Sequence, residues 1–203
     1  GRLGLGDRQD RYSQTVVAGL RRVEDMAAGA YHTIAATLEG HVYTWGSGLA
    51  TGHAEQRCLV PTRVTAGLEG LVVVRVAAGE DHSMAVTQTG QLLTWGGGFS
   101  GQLGHGRREE ELKVPRVVEG AGVVVGMAGG EEHSMAVRES GEVVVFGTGG
   151  EVNWYDNEGN KLDEPEIEEV DGHLGLGAEV AVALKPTVLP GIVAAVGQTA
   201  HNT

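Results

Sequence analysis

The chain has 203 residues, a formal net charge of −12 and a single cysteine, Cys58. An acidic chain without a basic stripe is unsuited to binding the phosphate backbone, and the pairs Arg21-Arg22 and Arg107-Arg108 are too small to reverse this, so direct nucleic-acid binding is excluded. No apolar run approaches the ~20 residues of a membrane span, so no membrane association is predicted. The lone cysteine rules out an internal disulfide framework and favours an intracellular location, the cytoplasm or the nucleus.

A short motif of the form Gly-x-x-His-(Ser/Thr) occurs three times along the chain. Its histidines, His32, His82 and His133, lie 50 and 51 residues apart. Each copy continues through an apolar stretch, a glycine turn and a second apolar stretch that ends in an aromatic-Gly pair. A period of this size predicts one supersecondary unit used several times.

The second copy shows the predicted elements most clearly. Residues 72–77 are short and rich in β-branched side chains, which predicts a strand that ends at Gly79. Residues 83–87 form a second strand, Thr89-Gly90 a tight turn, and residues 91–95 the returning strand of a hairpin.

A second glycine motif follows each aromatic-Gly pair and leads to a proline. Its fullest form is Gly-Gln-Leu-Gly-His-Gly at residues 101–106, and the corresponding stretch at 48–53 deviates from it. A nine-residue spacing connects glycine to proline or to its replacement in every unit: Gly6 to Thr15, Gly52 to Pro61, Gly106 to Pro115 and Gly177 to Pro186. Each unit therefore holds about four short strands in ~50 residues, which predicts an all-β fold of four-stranded antiparallel propeller blades. The units are approximately 1–46, 47–96, 97–147 and 148–203.

One interval breaks the period, since His133 and His201 lie 68 residues apart. The extra residues form an acidic insertion at 151–171, which contains nine Asp and Glu residues and one lysine. Residues 152–162 predict a small hairpin that turns at 157–159. Insertions in repeat folds map to exposed loops that often bind partners. The predicted interaction residues are Trp154, Tyr155, Asp156, Asn157 and Glu158.

Taken together, these motifs resemble the repeat of the regulator of chromosome condensation family. The resemblance implies a β-propeller, usually of seven blades, so residues 1–203 are expected to form a single partial domain of about three to four blades. The remaining blades are then expected from the rest of the protein or from another chain. The resemblance also implies that the repeated residues are structural, with each imidazole bonding to backbone between strands. These residues are Gly29, Gly79, Gly130, His32, His82, His133, Trp45, Trp95 and Phe146.

The sequence favours a non-catalytic scaffold or adaptor that binds protein partners through exposed loops and the acidic insertion. The alternative is a guanine-nucleotide exchange factor for a Ran-like small GTPase, because the resemblance implies a hairpin wedge in the family's namesake. No Ser-His-Asp or Cys-His set is identifiable, so no enzyme activity and no cofactor are predicted. No calcium loop is predicted either, because Trp154 stands where an EF-hand would need its first acid.

Overall fold

The computed structural model describes residues 1–55, 57–149, 152–155, 161–167 and 182–193. They contain three antiparallel sheets of four strands, one two-stranded sheet and one 3₁₀ turn, Leu49–Thr51. The first sheet holds β1 (Val23–Ala28), β2 (His32–Thr37), β3 (Val42–Ser47) and β4 (Arg57–Val64). The second holds β5 (Val73–Ala78), β6 (His82–Thr87), β7 (Leu92–Gly98) and β8 (Glu109–Val117). The third holds β9 (Val124–Gly129), β10 (His133–Arg138), β11 (Glu142–Thr148) and β14 (Val182–Val193), while β12 (Val152–Tyr155) pairs with β13 (Lys161–Ile167).

This architecture confirms the predicted all-β fold of four-stranded antiparallel blades. The three described blades do not close a ring. The predicted hairpin turns are also present: Gly40, Gly90 and Gly141 adopt φ values of 78°, 79° and 86° between the second and third strand of each blade. Among the described residues, no helix is long and apolar enough to cross a membrane.

The blades are offset from the sequence units. Strands β1 to β3 come from the first unit, whereas β4, which completes their sheet, belongs to the second. The same offset recurs for β8 and β14. Each fourth strand is an outer edge that contains a proline (Pro61, Pro115 or Pro186) inside a shift of the strand register. Edge positions of this kind tolerate a residue that cannot donate a backbone hydrogen bond.

The two larger apolar clusters lie between neighbouring blades, and two smaller ones lie against the third and the first blade. Ile34 and Val42 of the first blade pack in one cluster with Val76, Leu93 and Trp95 of the second. An equivalent cluster joins the second blade to the third. All residues of β2 and β6 are buried, because both faces of these inner strands are covered.

The glycine motif of the first blade has a different register from the predicted one. Thr44 Oγ1 donates to the carbonyl of Thr51, and Thr94 Oγ1 donates to the carbonyl of Leu103. Gly52, which follows Thr51, therefore corresponds to Gly104 and not to Gly106. The segment from Gly52 to Pro61 is two residues shorter than the equivalent segment from Gly104 to Pro115. The nine-residue spacing therefore aligned the wrong glycines.

Candidate functional site: blade interfaces and the acidic insertion

The repeated histidines join each blade to the next. His32 Nε2 lies 2.9 Å from Ser83 Oγ in the second blade, and His82 Nε2 lies 2.8 Å from Ser134 Oγ in the third. Both rings and both serines are buried, with exposures of 0%. Both rings bond to a hydroxyl group of the following blade, a partner that was not predicted, and His32 also interacts with the backbone of Glu80. His133 occupies the corresponding position in the third blade and is only partly buried.

The direction of these bonds follows from the second partner of each serine. Ser83 Oγ donates to the carbonyl of Ala50 at 2.8 Å, and Ser134 Oγ donates to the carbonyl of Gln102 at 2.8 Å. A carbonyl oxygen can only accept, so the serine proton is already used and the imidazole Nε2–H must donate to the serine. A catalytic pair needs the opposite direction, with histidine accepting the serine proton. These His–Ser pairs are therefore structural relays.

Burial keeps the relay histidines neutral. It lowers the pKa of His32 to about 4 and that of His82 to about 3, from an ordinary value of 6.5. Contact with the backbone of Glu80 offsets the effect of burial in part at His32. Repulsion from the flanking histidines adds to burial at His82.

We expect acid to destabilise the chain through His82. The unfolded chain binds a proton at this residue below pH 6.5, whereas the folded chain binds it only near pH 3. The stability contribution is therefore complete above pH 6.5 and is lost as the pH falls toward 3. Between pH 7.5 and 5.0, wild type should lose about 2 kcal/mol more than His82→Gln, measured by urea unfolding at each pH. Equal losses in the two proteins would show that His82 is not buried as a neutral group.

The glycines of the Gly-x-x-His turn lie where neighbouring blades touch. A Cβ atom on Gly29 would lie 2.3 Å from the carbonyl oxygen of Gly79, and one on Gly79 would lie 2.5 Å from that of Gly130. A Cβ atom on Gly79 would also lie 2.0 Å from the His82 ring, and a Cβ atom on Gly130 would lie 2.2 Å from the His133 ring. Only glycine allows this approach of backbone and imidazole.

The repeated aromatic residues anchor the loop of the preceding blade. Trp45, Trp95 and Phe146 have exposures of 2%, 0% and 0%. Each contacts a glycine of the second glycine motif, where an added Cβ would lie 2.7, 3.0 or 2.8 Å from the ring: Gly4 on Trp45, Gly52 on Trp95 and Gly104 on Phe146. Trp45 Nε1 also donates to the carbonyl of Arg2 at 2.8 Å. The aromatic residues therefore pack between blades.

A second histidine relay was missed by sequence reasoning. Thr44 Oγ1 lies 2.9 Å from His53 Nε2, and Thr94 Oγ1 lies 3.0 Å from His105 Nε2. Because each threonine donates to a carbonyl, each imidazole donates to the threonine. The signal was present in the repeat, since threonine precedes tryptophan in both units, whereas the third unit has Val145 at that position.

The turn residues between glycine and histidine carry negative charge in two blades. They are Glu80 and Asp81 in the second blade, and Glu131 and Glu132 in the third. Burial, followed by repulsion from Glu131, raises the pKa of Glu80, and burial raises the pKa of Asp81 and of Glu132. None of the ion pairs between described residues involves these four carboxylates. This end of the inner strands is therefore acidic.

The insertion forms its own small sheet between β11 and β14. Strand β12 pairs antiparallel with β13, with Val152 opposite Ile167 and Tyr155 opposite Lys161, which bears out the predicted pairing of two strands, while the predicted turn at 157–159 lies outside the described residues. The second strand extends to Ile167 and so includes the Pro-Glu-rich stretch that follows Leu162. Trp154 and Tyr155 lie in β12. Asp156, Asn157 and Glu158 lie outside the described residues, and the interaction role of all five stays a prediction.

The stacked four-stranded blades, joined by buried relays, define the class of the protein: it is a β-propeller built from repeated units. The chain belongs to the regulator of chromosome condensation (RCC1) repeat family. Two models of this repeat match it, one at residues 39–86 and 89–137 and the other at 23–49 and 73–102. Together the matched segments span more than half of the chain.

Curated relatives and solved structures agree with this assignment. The chain is 36% identical over 166 residues to the human E3 ubiquitin-protein ligase HERC2, covering 77% of this chain and 3% of that protein. It is 35% identical over 172 residues to the ultraviolet-B receptor UVR8 of Arabidopsis thaliana, covering 81% of this chain and 38% of that protein. The structure of human WBSCR16 matches with a TM-score of 0.66 at 26% identity, covering 90% of this chain and 39% of that one.

The fold also matches yeast RCC1 (Prp20), in its structure bound to Kap60. That match has a TM-score of 0.65 at 22% identity and covers 84% of this chain and 37% of that one. The chain therefore spans well under half the length of the relatives it matches.

Proposed function

We propose that the chain is part of a non-catalytic propeller that binds a protein partner through exposed loops and the acidic insertion. The observation that carries the proposal is the β12–β13 sheet, an addition within the third blade that the other two blades lack. The blades fold around their buried relays without such a sheet, so packing gives no reason for it. Charge supports a binding role, because nine acids against one lysine at 151–171 match a partner surface rich in Lys and Arg.

The histidines and serines support the non-catalytic part of the proposal. Each serine proton is committed to a carbonyl oxygen and each imidazole Nε2–H to a serine, inside a buried blade interface. The buried, unpaired thiol of Cys58 supports an intracellular setting, the cytoplasm or the nucleus.

Relatives suggest which partners to test first. One solved structure is described as yeast RCC1 (Prp20) bound to Kap60, and another describes the binding of Prp20p to Gsp1p and histones. Histones are suitable first probes here, because their basic surfaces complement an acidic insertion.

Neutralising the insertion is expected to weaken capture of a basic partner. The variant Glu164→Gln/Glu166→Gln/Glu168→Gln removes three charges, and its affinity for core histones should fall at least tenfold at low ionic strength, with a weaker salt dependence. The matched control removes three exposed charges from the blades: Glu24→Gln/Glu69→Gln/Glu139→Gln. Isothermal titration calorimetry of both variants checks the result. Equal affinities would contradict a binding role for the insertion.

The second candidate is an exchange factor for a Ran-like small GTPase, favoured by the presence of a hairpin in the insertion. In this case the hairpin would act as a wedge and the chain would supply no active-site chemistry. A nucleotide-release assay with a panel of small GTPases tests this candidate. Accelerated release that disappears when residues 151–171 are deleted would support it, and no acceleration across the panel would exclude it.

A further inference from the structure

A basic groove lies between the outer strands of the second and third blades. It has a volume of about 860 Å³. Its lining includes His105 of the β7–β8 loop and the charged residues Arg107, Arg116, Glu119 and Lys185. The three cations come from two blades, Arg107 and Arg116 from the second and Lys185 from the third.

The arginines of this groove are held in place by one carboxylate. Glu109 Oε1 accepts from Arg107 Nε at 2.7 Å and from Arg116 Nη1 at 2.9 Å. The Glu109 side chain is only 11% exposed and forms ion pairs with both guanidinium groups, so it restricts their positions. One carboxylate between two guanidinium groups leaves an excess positive charge.

Lys185 of the third blade adds a further cation to the lining of the groove. Its stem runs along the loop glycine, since a Cβ atom on Gly106 would lie 2.6 Å from Lys185 Cε. Gly106 N also donates to the carbonyl of Leu184 at 2.7 Å, which ties the loop to β14. Lys185 forms no ion pair with any other residue that the structure describes. With Glu119 and Glu109 counted, the groove keeps a net positive charge in a chain of net charge −12.

The equivalent positions at the other blade junctions of this chain carry none of these three cations. The loop–strand contact is the same at the first blade, where Gly6 N donates to the carbonyl of Leu59 at 2.9 Å. The strand positions correspond by register, because Thr62 pairs with Thr44 as Arg116 pairs with Thr94. The three equivalent sets are Asp7, Val16 and Val60 before the first blade; Glu55, Thr62 and Val114 between the first and second; and Arg107, Arg116 and Lys185 between the second and third. Blade packing therefore does not require the three basic residues.

We propose that the groove between the second and third blades binds an oxyanion of the phosphate class. Two guanidinium groups offer planar N–H donors, and a lysine of the other blade lines the same groove. Three converging cations match a dianion with three acceptor oxygens better than a carboxylate with two. The burial of Glu109 orders the arginines before the ligand arrives.

The test titrates the chain with inorganic phosphate, with a short peptide that carries one phosphoserine and with the same peptide unphosphorylated. We expect saturable binding of phosphate and of the phosphopeptide, weakened at least about tenfold in Arg116→Gln/Lys185→Gln. The matched control, Arg63→Gln/Arg75→Gln, removes two exposed charges outside the groove and should bind as wild type does. Thermal unfolding of both variants verifies that each is folded.

The outcomes separate the sources of the oxyanion. Phosphopeptide binding that is tighter than phosphate binding supports a phosphoprotein ligand, and equal affinities support a small anion. Binding that is equally strong in the groove variant and in the control, or equally strong for the unphosphorylated peptide, overturns the proposal. If the groove variant does not fold while the control folds and binds, the single variant Lys185→Gln replaces it. This substitution breaks no ion pair between described residues and must still weaken binding.

Discussion

Replacing Gly79 with alanine is expected to destabilise the chain by at least about 3 kcal/mol or to prevent folding. The new methyl group would lie 2.0 Å from the Cε1 atom of His82 and 2.5 Å from the carbonyl oxygen of Gly130. Neither can move aside easily, because His82 is buried and bonded to Ser134, and Gly79 N donates to the His82 carbonyl at 2.9 Å. Urea unfolding monitored by tryptophan fluorescence measures the effect.

Gly126 provides the control for this substitution. It lies in β9, has no positive φ, and the nearest atom to an added Cβ is Val137 Cβ at 3.8 Å. Gly126→Ala should therefore change the free energy of unfolding by no more than about 1 kcal/mol. If both variants unfold at the same urea concentration, the result contradicts the close packing of neighbouring blades at Gly79.

Replacing Trp95 with alanine is expected to cost about 3–5 kcal/mol, because it opens a cavity between the first and second blades. The side chain is 0% exposed and belongs to the cluster that contains Ile34, Val76 and Leu93. Thermal or urea unfolding measures the loss.

Phenylalanine should be much better tolerated at the same position, at a cost below about 1.5 kcal/mol. Trp95 Nε1 has no hydrogen-bond partner among the described residues, and Phe146 fills the equivalent place in the third blade. Trp45→Phe is the matched comparison, since it also loses the bond to the carbonyl of Arg2. A larger loss for Trp95→Phe than for Trp45→Phe would contradict the difference between the two indole groups.

Local patterns were sufficient for the strands but not for their partners. The glycine turns at Gly40, Gly90 and Gly141 and the β-branched runs act within a few residues, so the hairpins were predictable. The partner of His32 is Ser83, 51 residues away, and such a contact depends on how blades stack. The family resemblance implied a structural role for the histidines but did not point to their serine partners.

Two further features escaped sequence reasoning for different reasons. Spacing alone aligned Gly52 with Gly106, and only the Thr44 and Thr94 hydrogen bonds correct the alignment. The pair Arg107-Arg108 was judged too small to matter in a chain of strongly negative total charge. Total charge takes no account of residues from different blades, such as Arg107 and Lys185, that line one groove. Convergence across blades is a property of the stacking and has no counterpart in a linear count.

The offset between sequence units and sheets has a consequence for how such chains grow. Because β4 belongs to the second unit but completes the first sheet, copying one unit within the gene inserts a length of chain that finishes an existing blade and starts the next. Every boundary between two sequence units then lies within a hydrogen-bonded sheet and not at an interface between two blades. Tandem duplication of a single unit therefore lengthens the array by one blade, and every unit boundary stays inside a hydrogen-bonded sheet.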